Sequence, residues 1–431
     1  MICNNLSVNE KGHLCFAGLD VTKLAEKYAT PLYLLDEDKI RENCRIYKNA
    51  MEAAFGSSAL PLYAGKALCI KDIYRVMREE NMGIDVVSCG ELFTAHAAGF
   101  PLERAYFHGN NKTNADISYA MDKGIGYFVC DNNEELLAIE HEAAQRGITQ
   151  RILIRITPGI DPHTHKAIST GSVDSKFGAA IETGDAEFLV TLALKQPHIN
   201  LMGYHCHIGS QIFETQPFID ASEIMLTFIA HMRDRVGYTA KELNLGGGMG
   251  VRYLDEHPNI DYTKNIKEIA EHMYSVCERL SLDMPNVRME PGRSIVANAG
   301  MTLYTVGALK TIPGFRNYVS IDGGMTDNPR YALYQAPYTI LLANRMCEEA
   351  NTLCTVAGRC CESGDLIQEE VRLPQPNRND ILAVLTTGAY NYAMASNYNR
   401  IPRPAMVRLS QGTDTLILKR ETFEDLIRNE L

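Results

Sequence analysis

Eight short apolar runs, separated by stretches of helical periodicity, dominate the first three hundred residues. In stretches such as 71–80, 133–146 and 218–235, apolar residues recur every three and four positions, which predicts helices. This many strand–helix alternations is what a closed barrel requires, and a doubly wound sheet of that size is less common. We therefore predict an α/β fold, a (β/α)8 TIM barrel. The predicted strands lie at 62–67, 84–90, 105–111, 127–132, 152–158, 201–210, 243–248 and 287–293.

The pattern changes after about residue 300, where β-rich runs without long helices begin. A chain of 431 residues also exceeds the size at which one core usually keeps growing, which favours about two domains. We predict a barrel at 36–300 and a C-terminal β domain at 301–431. The short β-like pieces in 1–35 are expected to join the β domain.

Charge and composition narrow the function classes. A net charge of −11 argues against a nucleic-acid binder, so small molecules are the expected partners. Neither a targeting segment nor an apolar run approaching the ~20 residues of a membrane span is present, and we expect a cytoplasmic protein with no membrane partner. Its twelve cysteines form no CxxC pair and mostly sit among apolar residues, which indicates reduced thiols.

Charged and imidazole side chains cluster where the predicted strands end. In a barrel these carboxyl ends converge on one mouth, where active sites lie. The polarity of loops alone explains why polar residues occur at strand ends. It does not predict so many lysine, histidine, glutamate and arginine side chains there. The side chains concerned include Lys66, Arg155, His205, His207, Glu290 and Arg293.

Three of these strand ends point to one cofactor. The strand LNLGGGMG (243–250) ends in glycines whose backbone N–H groups can approach a phosphate. A tight turn that binds no ligand would show the same glycines. In EPGRS (290–294), Arg293 can bind an anion through paired hydrogen bonds or form a structural ion pair with Glu290. A lysine kept from water at a barrel mouth, as expected for Lys66, exposes its amine as a nucleophile for carbonyls. Together they suggest pyridoxal 5′-phosphate.

A metal site is the alternative at the same strand ends. His205 and His207 are two apart on a predicted strand, as in metal-dependent hydrolases built on barrels, and HTH at 163–165 could add to them. The further His and Asp ligands that such a site needs do not occur at the later strand ends. We therefore predict no metal.

The motifs resemble those of the alanine-racemase-like, fold type III decarboxylases, and most closely the branch that acts on diaminopimelate. They follow the family order over nearly the whole chain. The resemblance implies a barrel followed by a β domain, a bound pyridoxal 5′-phosphate, and a homodimer with its sites at the subunit interface. The motifs are YAGKA (63–67), SCGEL (88–92), GNNK (109–112), DSKFG (174–178), HCHIGSQ (205–211), NLGGGMG (244–250), EPGRS (290–294), CESGD (361–365) and TTGAYNYAMASNYN (386–399).

Residue roles follow from the same resemblance. Lys66 resembles the Schiff-base lysine, His207 the imidazole stacked on the pyridine ring, and Glu290 the carboxylate paired with the pyridine nitrogen. Keeping that nitrogen protonated deepens the electron sink, which favours decarboxylation over racemisation. Cys361 resembles the proton donor contributed by the partner subunit. Residues similar to the rest of the cofactor site are Asp85, Ser210, Gly247, Gly248, Gly292, Arg293 and Tyr390, with Glu91 beside Asp85.

The resemblance also implies the substrate. Diaminopimelate carries a second amino-acid end, which needs cations for its carboxylate and an acid for its ammonium. Arg293, Arg330, Tyr334 and Tyr390 match the substrate-binding positions, and Glu362 matches the ammonium partner. The expected reaction converts meso-2,6-diaminopimelate to L-lysine and CO2, the last step of lysine biosynthesis. The alternatives are a decarboxylase of another basic amino acid or of a carboxylated polyamine, and a non-catalytic regulatory homologue, which the presence of both Lys66 and Cys361 disfavours.

Overall fold

The structure, a computed structural model, describes residues 1–160 and 175–431. These residues form two compact units, a barrel unit and a β unit. The barrel unit comprises Asn43–Gly250 and Ile260–Ser294, and the β unit comprises Met1–Glu42, Val251–Asn259 and Ile295–Leu431. The segment HTH at 163–165 and Asp174 of the DSKFG motif lie outside the described residues.

The strands, numbered along the chain, are β1 (Leu6–Val8), β2 (Leu14–Phe16), β3 (Leu19–Asp20), β4 (Leu32–Asp36), β5 (Leu60–Ala64), β6 (Gly83–Val86), β7 (Ala105–Phe107), β8 (Tyr127–Cys130), β9 (Gln150–Thr157), β10 (Ala179–Ala180), β11 (Ile199–His205), β12 (Glu242–Asn244), β13 (Asn286–Met289), β14 (Gly300–Ile312), β15 (Arg316–Ile321), β16 (Ile340–Leu342), β17 (Thr352–Ala357), β18 (Leu366–Leu373), β19 (Ile381–Leu385), β20 (Ala405–Ser410) and β21 (Thr413–Leu418).

The helices are α1 (Val21–Tyr28), α2 (Glu37–Phe55), α3 (Lys71–Glu79), α4 (Cys89–Ala97), α5 (Asn114–Asp122), α6 (Asn133–Arg146), α7 (Asp185–Ala193), α8 (Gln216–Val236), α9 (Tyr262–Leu280), α10 (Arg293–Val296), α11 (Arg330–Tyr334) and α12 (Phe423–Ile427). No helix in this described part of the chain has both the length and the apolarity needed to cross a bilayer.

Parallel strands close into a barrel in the first unit. The order is β5-β6-β7-β8-β9-β11-β12-β13, and β13 returns to β5 through the pairs Arg288 with Leu60 and Met289 with Pro61. Each predicted apolar run overlaps one of these strands, so the (β/α)8 fold prediction is confirmed. The strands are buried on both faces, which is why they read as continuous apolar runs rather than alternating ones.

Side-chain caps fix the points where the barrel strands turn into helices. The side chains of Ser88, Thr113 and Asn132 accept backbone N–H bonds at the first turns of α4, α5 and α6, where unbonded N–H groups would otherwise remain. Each cap comes within a few residues of the preceding strand end. The strand-to-helix loops are therefore held in defined positions, and so are the side chains that they carry.

The β unit is built on a mixed sheet ordered β18-β17-β15-β14-β4-β20-β21, with β16 and β19 paired beside β14. Strand β4 pairs antiparallel with β14 and parallel with β20. A small sheet, β1-β2-β3, packs its buried Leu14 and Phe16 into the same apolar cluster as Leu32 and Leu303. N-terminal strands thus contribute directly to the core of this unit.

Candidate active site

Glu290 is the centre of a buried cluster at the carboxyl ends of the barrel strands. Its Oε1 accepts a hydrogen bond from Asn244 Nδ2 at 2.7 Å, and its Oε2 lies 3.2 Å from His205 Nε2. His108 Nε2 lies 2.8 Å from Oε1, although its orientation does not give hydrogen-bond geometry. Burial alone would raise the pKa of Glu290, but His108 and His205 hold it well below its ordinary range. Glu290 is therefore a buried, ionised carboxylate.

His205 is neutral in this cluster. Burial lowers its pKa to about 4, against the opposing effect of Glu290. A neutral imidazole can donate only one N–H bond, and Nε2 is the ring nitrogen that faces the carboxylate. His205 thus stabilises the charge of Glu290 through this hydrogen bond.

Lys66 lies in the 3-10 turn Gly65–Ala67 that directly follows β5. It is close enough to act electrostatically on Asp85, Glu91 and His207. Its side chain is exposed, so the expectation of a poorly hydrated lysine is not met by the chain on its own. The reason is its position on a turn at the open barrel mouth, beyond the last buried residue of the strand.

Two carboxyl groups flank this lysine. Asp85, on β6, is buried, and burial raises its pKa although His108 and Lys66 act in the opposite direction. Its Oδ1 has no hydrogen-bond partner among the described residues. Burial also raises the pKa of Glu91, to about 7, while Glu91 Oε2 accepts a 2.8 Å bond from the backbone N–H of Val87.

His207 follows the end of β11 at the same mouth. The residue is half-buried, and loss of hydration lowers its pKa well below the ordinary value, with Lys66 adding to the effect. A neutral imidazole is suited to stacking against a flat ring. Lys66 therefore lies near both Asp85 and His207 at the barrel mouth.

A cradle of backbone and polar groups lies where β11, β12 and β13 end. Arg293 Nη2 donates to Ser210 Oγ at 2.9 Å. A Cβ on Gly247 would lie 2.1 Å from Glu290 O, and one on Gly248, whose φ is +126°, would lie 2.5 Å from Gly209 O. Only glycine allows these loops to approach so closely. Gly292 is similarly close to Ala64, with 2.9 Å between a Cβ added there and the alanine Cβ.

The residues that could bind a metal in the structure differ from the pair His205 and His207 considered from the sequence. His205 lies with His108 and Glu290, and their ligand-type atoms are within 4.8 Å of one another, whereas His207 is not part of this group. In this arrangement Glu290 already accepts hydrogen bonds from Asn244 and His205. The group therefore forms a hydrogen-bonded carboxylate site.

The remaining predicted residues belong to the β unit. Arg330, at the start of α11, is buried and donates to the hydroxyl of Tyr338, while Tyr334 ends the same helix and is half-buried. Tyr390 has a φ of +62°, a left-handed conformation that is uncommon for a tyrosine and concentrates at functional sites.

Cys361 and Glu362 are exposed on a loop whose backbone is held by hydrogen bonds. The backbone N–H of Cys361 donates to Asn399 Oδ1 at 2.7 Å, and that of Cys360 donates to Asp365 Oδ2 at 2.6 Å. Asp365 is buried, so its carboxylate anchors the loop from inside the unit. The thiol of Cys361 is thus carried on a loop with a defined backbone.

Sequence reasoning missed His108, Asn244 and Tyr338. Asn244 ends β12 and His108 directly follows β7, but both lie inside the longer strands predicted at 243–248 and 105–111, so their position at a strand end was not visible in the sequence. Tyr338 follows α11 in an irregular segment and carries no signal either.

Comparison with known proteins decides the family. The family described as pyridoxal-dependent decarboxylase, pyridoxal binding domain, matches residues 37–297. Diaminopimelate decarboxylase of Bacillus subtilis is 46% identical over 423 residues, covering 98% of this chain and 96% of the relative. The Staphylococcus aureus protein of that name is 42% identical, covering 98% of each chain. The chain belongs to the diaminopimelate decarboxylases.

Solved structures of this family agree in fold. Diaminopimelate decarboxylase from M. jannaschii has a TM-score of 0.91 at 34% identity, covering 99% of this chain and 98% of that one. The Helicobacter pylori enzyme complexed with L-lysine has a TM-score of 0.86 at 33% identity, covering 95% and 99%. The family match also confirms the pyridoxal-phosphate cofactor expected from the sequence.

The residues of the barrel site also fit this cofactor by their geometry and burial. Asp85 carries a buried oxygen without a partner in the described chain, and such an atom is costly unless a ligand satisfies it. The close approach of the loops at Gly247 and Gly248 leaves backbone rather than side chains at the cradle. A buried ionised carboxylate at Glu290 can pair with a protonated ring nitrogen.

Proposed function

We propose that these residues carry out the decarboxylation of meso-2,6-diaminopimelate at its D-centre, releasing CO2 and leaving L-lysine, as the last step of lysine biosynthesis. The observation that carries this proposal is Glu290, held ionised by Asn244, His205 and His108. When bound, pyridoxal 5′-phosphate supplies an electron-withdrawing ring that accepts the electrons left behind by CO2.

The barrel residues would hold this cofactor. The amine of Lys66 would hold its aldehyde end, Glu290 its ring nitrogen, and His207 the face of its ring. Asp85 lies near enough to Lys66 and His108 for both to act electrostatically on its carboxyl group. The phosphate would be bound by Ser210, Gly247, Gly248, Gly292, Arg293 and Tyr390.

With the cofactor bound, Glu290 would favour loss of CO2 by keeping a proton on the ring nitrogen. Its two neutral donors, Asn244 and His205, fix both carboxylate oxygens and leave the negative charge in place. An arginine at this position would instead disfavour protonation. The ionised carboxylate supports decarboxylation rather than racemisation.

Substrate residues act at the other end of diaminopimelate. Arg293, Arg330, Tyr334 and Tyr390 are proposed to bind the carboxylates, and Glu362 the distal ammonium. Cys361 Sγ is proposed to donate the proton that replaces CO2 on the carbon. The bond from the carbon to its carboxylate would break, the electron pair left on the carbon would take the proton of Cys361, and the resulting thiolate would regain a proton from water. The net reaction would then consume one proton and release CO2, with no oxidant or reductant required.

The proposal includes a homodimer whose sites lie at the subunit interface, with Cys361 supplied by the partner. The exposure of Cys361 and Glu362 in the chain supports it. It also includes a cytoplasmic location, which is supported by twelve cysteines that are all free thiols, as a reducing compartment maintains. Cell fractionation tests the location.

Lys66→Ala tests the cofactor site directly. Because the amine is removed, we expect loss of the visible absorbance of the bound cofactor and no turnover, with an unchanged far-UV circular dichroism spectrum. Wild-type protein should be yellow, and borohydride should remove the band. A Lys66→Ala variant with full turnover would exclude this lysine.

A substrate panel tests the reaction. CO2 release is measured from diaminopimelate, ornithine, arginine, lysine and carboxynorspermidine under the same conditions. We expect release from diaminopimelate to exceed all others. A preference for ornithine or for carboxynorspermidine would instead indicate one of the alternative decarboxylases.

A further inference from the structure

Arg330 is held by aromatic side chains within the β unit. It is 8% exposed, an unusual degree of burial for a cation. Its Nη1 donates to the Tyr338 hydroxyl at 3.0 Å. The guanidinium carbon also lies 5.3 Å from the centroid of the Tyr253 ring and 5.7 Å from that of the Tyr338 ring, distances at which a cation interacts favourably with an aromatic ring. One hydrogen bond and two rings therefore restrict the guanidinium.

The hydroxyl that binds Arg330 is itself fixed. Asn391 Nδ2 donates to Tyr338 Oη at 3.3 Å, and the same amide group donates to the carbonyl oxygens of Thr387 at 3.1 Å and Ala389 at 3.2 Å. Both Tyr338 and Asn391 are fully buried. The direction of the hydroxyl is therefore set by the backbone and not by solvent.

The rings of Tyr253 and Tyr338 are also held in place, by contact with each other and by backbone hydrogen bonds. Tyr253 and Tyr338 meet edge to face, with centroids 5.5 Å apart and an interplanar angle of 81°. The Tyr253 carbonyl accepts a 2.8 Å bond from Thr339 Oγ1, and the Tyr338 N–H donates to Gln368 Oε1 at 2.6 Å. The rings around Arg330 are thus anchored by their own backbones.

We propose that Tyr338 is a positioning residue for substrate specificity: it holds the Arg330 guanidinium in the orientation that pairs with the distal carboxylate of the substrate. This inference rests on the proposed role of Arg330. A planar guanidinium recognises a carboxylate through two parallel hydrogen bonds, so its orientation decides whether both can form. Fixing the side chain before binding also reduces the entropy lost when substrate binds.

Two ligands that differ by one carboxylate test this. L-lysine carries it and cadaverine does not, so their ratio of dissociation constants, measured calorimetrically on the holoenzyme, reports carboxylate recognition. Tyr338→Phe keeps the ring and removes the hydroxyl. We expect L-lysine to bind about tenfold more weakly and cadaverine to be unchanged. In turnover, KM for diaminopimelate should rise with kcat nearly constant.

Tyr331→Phe is the matched control. Tyr331 follows Arg330 on α11, but its hydroxyl donates to Glu369 at 3.1 Å, so its loss should leave the lysine-to-cadaverine ratio unchanged. If Tyr338→Phe weakens both ligands equally, or neither, the positioning role is wrong.

Arg330→Met separates this inference from the proposed function. If Arg330→Met abolishes the preference for L-lysine over cadaverine while Tyr338→Phe leaves it intact, only the positioning role of Tyr338 is wrong. If Arg330→Met leaves the preference intact, the substrate-binding role of Arg330 is wrong as well.

Discussion

At the residue scale, Asp327 is a buried acid that makes stability depend on pH. Its Oδ2 accepts a 2.5 Å bond from the Tyr304 hydroxyl, and its Oδ1 accepts from the backbone N–H of Gly324 at 3.0 Å. Burial raises the pKa of Asp327 to about 7, although these hydrogen bonds oppose the shift. Between its ordinary pKa and about 7, the folded protein holds a proton that the unfolded chain has released.

The free energy of unfolding should therefore fall as pH rises through that window, by up to about 4 kcal/mol in total. Asp327→Asn removes the titrating group. We expect the variant to gain stability relative to wild type when the pH changes from 5 to 8, as measured by chemical denaturation at each pH. A difference between the two proteins that stays constant with pH would contradict the proton held at Asp327.

Single residues also show how far sequence reasoning reaches. Lys66 and Glu290 were singled out because each lies towards the end of a predicted strand, and the barrel brings such ends together. The contact between His108 and Glu290 could not, because which strand ends face each other across the mouth depends on barrel closure. The exposure of Lys66 likewise depends on the turn that follows β5, and composition does not encode it.

At the element scale, a buried ion pair ties the loop after one barrel strand to the helix that follows the neighbouring strand. Lys112, in the loop after β7, donates to Glu135 Oε1 on α6 at 2.8 Å, and both side chains are 2% exposed. Lys112 Nζ also donates to the carbonyl oxygens of Gly109 at 2.9 Å and Val129 at 2.8 Å. One ammonium thus holds the GNNK loop against the neighbouring strand and helix.

Lys112→Met should destabilise the protein by about 3–5 kcal/mol, because it leaves the Glu135 carboxylate buried without a cation. The double variant Lys112→Met/Glu135→Leu should recover part of that loss. Denaturant unfolding measures both.

The exposed pair of Lys267 and Glu271 on α9 provides the control. Their side chains are 3.6 Å apart, so Lys267→Met removes the same kind of partner at the surface. It should cost about 1 kcal/mol or less. If the double variant loses as much stability as Lys112→Met alone, the unpaired Glu135 carboxylate is not the source of the cost.

The same scale explains why elements were easier to predict than their connections. Helices α3, α6 and α8 were predicted because one face packs on the barrel and the apolar period records it. No local pattern predicts the contact of Tyr253 with Arg330, since it joins an irregular segment to the start of α11, far away in sequence. Non-local contacts of this kind follow from packing and not from local pattern.

At the scale of the whole molecule, the proposed dimer has a direct test. Lys66→Ala and Cys361→Ala are each expected to be nearly inactive. If one site uses Lys66 from one subunit and Cys361 from its partner, mixed dimers regain one intact site, and a refolded equimolar mixture should reach about a quarter of wild-type activity.

Mixing each variant with itself is the control, and it should restore nothing. Size-exclusion chromatography with light scattering confirms that the mixed species are dimers. Absence of recovery in mixtures that do contain hybrid dimers would place both residues of a working site on one subunit.

The closure of the barrel also orders its assembly. Strands β5 and β13 are the first and last of the barrel in sequence, yet they are neighbours, joined through the pairs Arg288 with Leu60 and Met289 with Pro61. Lys66 follows the first strand and Glu290 the last. A growing chain therefore has no complete cofactor site until its final barrel strand has been synthesised and inserted. Cofactor binding is thus a late event, and it indicates that the barrel has closed.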